Sequence, residues 1–141
     1  MIDIGGEVII NGTKHGDSWN IGIQDPSGIQ NKAIKVISNN NSKFLAIATS
    51  GEYRNFKIDD SGNRISHTIN PKTLKSINNQ ISSVTVIHES SASYADAFAT
   101  AFNAMGFTNA FDNANEVNIA AMFILHNNEI IYSNKWYDLQ S

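Results

Sequence analysis

Apolar residues recur along this chain in two rhythms. Through the first half, short stretches alternate or run apolar between clusters of Gly, Asn, Asp and Ser, which is the rhythm of strands. Residues 2–10 read as one strand broken at Gly5-Gly6, where a backbone or a ligand can approach closely. Asn11-Gly12 is a turn signal. Residues 18–26 form a second strand, stopped by Asp25-Pro26, and 32–38 a third, followed by the polar run Asn39-Asn40-Asn41. Residues 44–51 are apolar and closed by Gly51, as in a buried strand. Residues 52–58 are ambiguous, 59–64 read as a turn, and 68–79, with Pro71 and few apolar positions, as loop. Residues 81–87 are the clearest strand, rich in β-branched side chains.

The rhythm then changes. Tyr94, Ala95, Phe98, Ala101, Phe102 and Met105 recur at helical spacing, with Ser90 or Ser91 as the cap and Gly106 as the stop. A shorter helix is expected over 108–115. Strands at 118–125 and 129–134 flank a hairpin at His126-Asn127-Asn128. Many strands with a helix pair late in the chain predict an α+β fold on a largely antiparallel sheet.

Bulk properties narrow the chemistry. The chain has 141 residues, enough for a single domain over 1–141. Its formal charge is −3, with no basic tract, which argues against nucleic acid as a partner. No apolar run reaches the roughly 18 residues of a membrane helix, and no signal peptide is expected at residue 1. There is no cysteine, so thiolate metal sites and cysteine nucleophiles are excluded.

Two residues sit oddly in the long helix. Asp96 and Thr100 are weak helix formers, yet they stand at i and i+4 and so leave one face together. A carboxylate and a hydroxyl there offer hard oxygens of the kind Mg²⁺ or Ca²⁺ takes. The competing reading has Thr100 bonding back to the carbonyl of residue 96 while Asp96 faces water. His67, in SHTINPKT, is a candidate for proton transfer or an ordinary surface histidine. Thr49, Ser50 and Gly51 are small residues at a strand end that either bind a ligand or form a turn. No phosphate-loop or serine-hydrolase motif occurs.

The order of these segments carries more than any one of them. Gly5-Gly6-Glu7, Trp19 to Pro26, Ala48-Thr49-Ser50-Gly51-Glu52-Tyr53, His67 to Thr73, Ser83 to Ile87 and Ala95-Asp96-Ala97-Phe98-Ala99-Thr100 with Met105-Gly106 follow one another. This series resembles the C-terminal half of the FAD:protein FMN transferases, the ApbE-like family, over about residues 2–125. The resemblance implies a Mg²⁺-dependent enzyme that cleaves FAD, releases AMP and attaches FMN to a threonine of an acceptor flavoprotein. It implies that Asp96 and Thr100 are the metal ligands and that His67 acts catalytically at the phosphoryl centre. It places Gly5, Gly6, Glu7, Thr49, Ser50 and Gly51 around the flavin nucleotide. It also implies a bacterial envelope location, on the periplasmic side of the inner membrane.

Three departures stand out. The family pattern His-x-x-Asp-Pro-x-Thr-Gly has Asn70 in place of the aspartate and Leu74 in place of the glycine, and Glu52 replaces an aspartate. Family members are about twice as long, so the N-terminal half of the family domain is expected to be missing from these residues. Self-association, or association with a complementary chain, is expected in consequence. Other readings are an FAD-binding or FAD-hydrolysing homologue without transfer activity, and a purely structural domain.

Overall fold

The computed structural model describes residues 1–27, 32–40, 43–51, 56–58, 62, 64–66 and 68–139. A six-stranded antiparallel sheet forms the middle layer. Its first two strands, β1 (Ile2–Ile4) and β2 (Glu7–Ile10), are joined by Gly5-Gly6. The expected single strand is therefore a hairpin. Gly5 and Gly6 have φ of 67° and 108°, and a two-residue loop with both φ positive matches the right-handed twist of the flanking strands. Among the described residues the strands β3 (Asn20–Gln24) and β4 (Ala33–Ser38) pair only with each other. Next comes β5 (Leu45–Gly51), a central strand.

Two small hairpins follow: β6 (Phe56–Ile58) with β7 (Arg64–Ser66), and β8 (Ile69–Asn70) with β9 (Lys75–Ser76). The β8–β9 pair replaces part of the loop expected over 68–79. Asn70 closes it, because its Oδ1 accepts from the amides of Lys72 at 2.9 Å and Thr73 at 3.2 Å. An aspartate would accept the same two bonds, so Asn70 keeps the turn-forming role of the residue it replaces. Leu74 takes φ 56°, the left-handed conformation that glycine adopts freely. A leucine there costs roughly 1–2 kcal/mol.

The long strand β10 (Ile81–His88) lies between β5 and β11 (Ala120–Leu125), and β12 (Ile130–Tyr132) closes the far edge. Between β10 and β11 come α1 (Ala92–Met105) and α2 (Phe107–Glu116). Ser91 caps α1, its hydroxyl accepting from the amide of Tyr94 at 3.3 Å. The last expected strand overshoots at its end. Ser133 instead bonds β11, taking the amide of Ala121 and donating to the carbonyl of Ile119, and a short helix α3 (Asn134–Asp138) starts there. The strand expected from 118 begins at 120, because Asn118 turns left-handed (φ 54°) and Ile119 still bonds the carbonyl of Ala114 in α2.

Strand alternation divides the core between two faces of the sheet. Ala46, Ala48, Val84, Val86, Ala121 and Phe123 point to one face, against Ala95, Ala99 and Phe102 of α1 and Ala110 and Ala114 of α2. Small residues on both surfaces let α1 lie close to β5 and β10. The other face carries Ile47, Ile87, Met122 and Ile124, covered by Ile23 and Ile37 of the β3–β4 hairpin and by Trp136 of α3. Asn39 fastens that hairpin, donating to the carbonyls of Gly12 and Lys43 and accepting from the amide of Trp19. At its open end Asp25 pairs with Lys32 at 2.7 Å. The hydrogen bond from Lys32, with those from Ser27, holds the Asp25 carboxyl down at about 2.

Candidate functional site

The face of α1 that meets the sheet differs from the one its apolar spacing suggests. Tyr94 and Met105 are 60% and 43% exposed, while Ala95, Ala99, Phe102 and Asn103 are buried. The buried stripe is thus rotated around the helix from the expected one, and Asn103 belongs to it. On one flank of the stripe, Phe98 and Phe102 lead by ring contacts to Phe123 of β11. Asp96 and Thr100 lie on the other flank, toward β5 and β2. At 3.6 residues per turn they stand one above the other, with Cβ atoms roughly 5–6 Å apart.

Both are exposed. Among the described residues, neither side chain has a hydrogen-bond or ion-pair partner. The back-bond from Thr100 to the carbonyl of residue 96 does not form, so both oxygens are free for an external ligand. Among the described residues no three acidic, histidine or cysteine side chains come together. A cation at Asp96 and Thr100 would therefore draw its remaining oxygens from elsewhere. Mg²⁺ fits such a set, because it commonly binds one or two protein oxygens together with substrate phosphates and water.

The sheet brings other expected residues to the same place. In the β2–β5 ladder Val8 faces Ile47 and Ile9 faces Ala46. Continuing that register sets Glu7 opposite Ala48 and the Gly5-Gly6 turn beside Thr49 and Ser50. Glu7 shares the helix side with Ile9, and its carboxylate lies close to Gly5: a Cβ added at Gly5 would stand 3.4 Å from Glu7 Oε2. Ser50 also points to the helix side, where its Oγ accepts from Asn103 Nδ2 at 3.2 Å. Glu7 and Ser50 thus lie on the side of the sheet that α1 covers, and Asn103 of α1 reaches Ser50 directly.

Thr49 does not join them. One residue from Ser50, it faces the opposite side, where its hydroxyl meets that of Thr85 at 2.8 Å. Gly51 ends the strand opposite Ser83. His67, Glu52 and Tyr53 lie outside the described residues. The segment after His67 does approach α1: a groove of about 610 Å³ opens between the β8–β9 turn and the last turn of α1, lined among others by Asn70, Thr73, Asn79 and Met105.

One residue of this region escapes sequence reading. Asn103 is fully buried, and the carbonyl of its main chain accepts from Asn79 Nδ2 at 2.7 Å. The available signal is its spacing: it stands four residues after Ala99 and eight after Ala95, on the face those small residues mark as inward.

The arrangement is an α+β fold in which Asp96 and Thr100, without side-chain partners among the described residues, stand exposed on a helix packed against an antiparallel sheet. The sequence profile of the ApbE family matches residues 1–123, and the chain belongs to that family. It is 41% identical over 107 residues to the FAD:protein FMN transferase of Vibrio cholerae, covering 75% of this chain and 30% of that protein. To the enzyme of the same name from Haemophilus influenzae it is 31% identical over 126 residues, covering 89% of this chain and 35% of the relative. The crystal structure of the ApbE protein from Thermotoga maritima superposes with a TM-score of 0.80 at 31% identity, over 97% of this chain and 43% of that one. The apo flavinyl transferase ApbE of Pseudomonas stutzeri gives 0.78 at 29% identity, over 97% and 42%. The chain therefore spans about a third of the length of these curated relatives.

Proposed function

We propose that this chain is the metal-bearing portion of a Mg²⁺-dependent flavin transferase acting on FAD and a protein threonine. The observation that carries the proposal is the pair Asp96 and Thr100, exposed on one flank of α1 and without side-chain partners among the described residues. The names of the relatives supply the substrate class. Threonine oxygen would attack the FMN phosphorus of FAD, the bond to the AMP phosphate would break, and AMP would leave. Asp96 and Thr100 would hold a Mg²⁺ ion, which would supply positive charge against the negative charge that spreads over the phosphoryl oxygens. Asp96 contributes the charged ligand and the rigid helix fixes its distance from Thr100. On the family resemblance, His67 takes the proton of the acceptor threonine, a poor nucleophile unaided. The reading extends to a bacterial cell-envelope location, which only the same resemblance supports.

The test is titration calorimetry of FAD in Mg²⁺ and then in EDTA, on these residues and on a chain carrying the whole family domain. Binding that requires Mg²⁺ is expected for the whole domain. Equal affinity in EDTA would remove the metal from the reading. Product analysis separates the hydrolytic alternative, in which water replaces threonine and AMP appears without protein-bound FMN.

The sheet edge supports a second part of the proposal. Ile2 and Ile4 of β1 pair with Ile9 and Glu7, and so share the helix side of the sheet, yet they are 58% and 71% exposed. Among the described residues the outer edge of β1 has no neighbour in the sheet, and such an edge is a template for pairing. We assign this surface to the part of the family fold that these residues do not include, on the same polypeptide or a complementary one. Studied as 141 residues alone, the chain is expected to self-associate through β1. Sedimentation velocity should show concentration-dependent species that Ile4→Lys removes. A sharp monomer at high concentration would refute the assignment.

A further inference from the structure

We propose that Asn103 is a positioning residue that fixes the Ser50 hydroxyl as an outgoing donor to a phosphate oxygen of bound FAD. The inference rests on the flavin-nucleotide reading above and extends it to a residue that reading does not use.

Asn103 is the one polar side chain on the buried face of α1, with Ala95, Ala99 and Phe102 as its companions. It is 0% exposed. An apolar residue of similar size would avoid desolvating an amide, so the amide needs a reason. Its bonds supply one. Nδ2 donates to Ser50 Oγ at the end of β5. Its main-chain carbonyl accepts from Asn79, whose own Oδ1 accepts from the amide of Ile81 at 2.7 Å. One residue thus ties together the end of β5, the last turn of α1 and the chain running from the β8–β9 hairpin into β10.

The direction of the Ser50 bond matters most. A serine hydroxyl has one proton and two lone pairs. Where Asn103 donates, Ser50 accepts, and the Ser50 proton is left to point elsewhere. Among the described residues nothing takes that proton. Turning the amide over would let Oδ1 accept it, but would bury two N–H donors without acceptors. In the orientation present, Oδ1 and one N–H lack a partner among the described residues. Stranding an acceptor and a donor costs less than stranding two donors, because a buried N–H without an acceptor is the rarer fault. The amide therefore holds Ser50 in one polarity.

That polarity suits the neighbourhood. Asn103 follows Thr100 by three residues, on the next turn of the same flank. Ser50 is half-buried at the end of β5, bonded to the turn of α1 that follows Thr100. A preset donor beside a cation site is complementary to a phosphate oxygen, whose lone pairs accept from both.

Asn103→Asp tests this directly, because a carboxylate of nearly the same shape can only accept. It takes the Ser50 proton and reverses the bond. The dissociation constant of FAD in Mg²⁺ should rise about 10-fold in both Ser50→Ala and Asn103→Asp, the scale of a hydrogen bond to a charged group. The double variant should be no weaker than either single one. Losses that multiply in the double variant would overturn the proposal, since independent sites add in free energy. So would wild-type affinity in Asn103→Asp. Asn103→Leu covers the case in which a buried carboxylate prevents folding: it frees Ser50 to rotate, should weaken FAD about 3-fold, and should have no effect in the Ser50→Ala background. If the wild-type full-length chain fails to bind FAD in Mg²⁺, the flavin reading itself falls, which is a different result from additive losses on a chain that binds.

Discussion

Asp96→Ala is expected to reduce Mg²⁺-dependent FAD cleavage by at least about 100-fold while leaving the fold intact. The two halves of this expectation have separate causes. Asp96 brings the only formal charge to its flank of α1, since Thr100 is neutral. A hydroxyl alone holds a strongly hydrated dication poorly. The fold does not depend on Asp96, which is exposed in mid-helix and bonds nothing among the described residues. Alanine is the better helix former there by roughly half a kcal/mol, so thermal stability should hold or rise slightly. Thr100→Ala should lose less, about 10-fold, because water can replace a neutral ligand oxygen. Cleavage of FAD by a whole-domain chain, followed by release of AMP at several Mg²⁺ concentrations, measures this. If Asp96→Ala cleaves at the wild-type rate, the metal lies elsewhere, and Glu7 becomes the next carboxylate to examine. If activity falls together with the melting temperature, Asp96 is structural, and the proposed role is wrong.

Much of this site is legible in the sequence, and what escapes does so for physical reasons. The strands β5 and β10 stand out because a central strand buried on both faces is nearly continuous in apolar and β-branched residues. The start of α1 is marked by Ser91 and its end by Gly106, which has φ 78°. The spacing of Asp96 and Thr100 gives their shared face at once. It does not give the side of the sheet to which that face turns. That follows from the chain of rings from Phe98 through Phe102 to Phe123, which joins residues far apart in sequence. Thr49 and Ser50 read as one small-residue motif, yet strand alternation sends them to opposite faces, and Thr49 finds Thr85 only because β10 lies beside β5. The β8–β9 hairpin hides in a polar stretch because its strands are two residues each and its closure rests on one Asn side chain and one left-handed leucine. The start of α3 hides for a similar reason: Ser133 bonds across to β11 rather than along its own segment.

Phe123→Ala is expected to destabilise the protein by about 3–5 kcal/mol, which is two to three orders of magnitude in the folding equilibrium. Phe123 is fully buried where both helices meet β11. Its ring lies 6.0 Å from that of Phe102 in α1, and 5.7 Å and 6.4 Å from those of Phe107 and Phe111 in α2, centroid to centroid. Two of these contacts are edge-on, the arrangement that the ring quadrupoles favour. Truncation would leave a cavity under the junction of α1 and α2, and the central sheet cannot collapse to fill it. Urea unfolding should show a lower midpoint with an unchanged slope. A loss below about 1 kcal/mol would mean that the helices are held by other contacts, and that the account of this core is wrong. The consequence reaches the site, because Phe102 anchors the turn of α1 that carries Thr100 and Asn103. Ligands that bind only the folded form raise apparent stability by mass action. Saturating FAD and Mg²⁺ should therefore restore part of the lost stability in Phe123→Ala on a whole-domain chain. The same additions should restore none in a chain that also carries Asp96→Ala, if Asp96 is the ligand that links metal, nucleotide and helix.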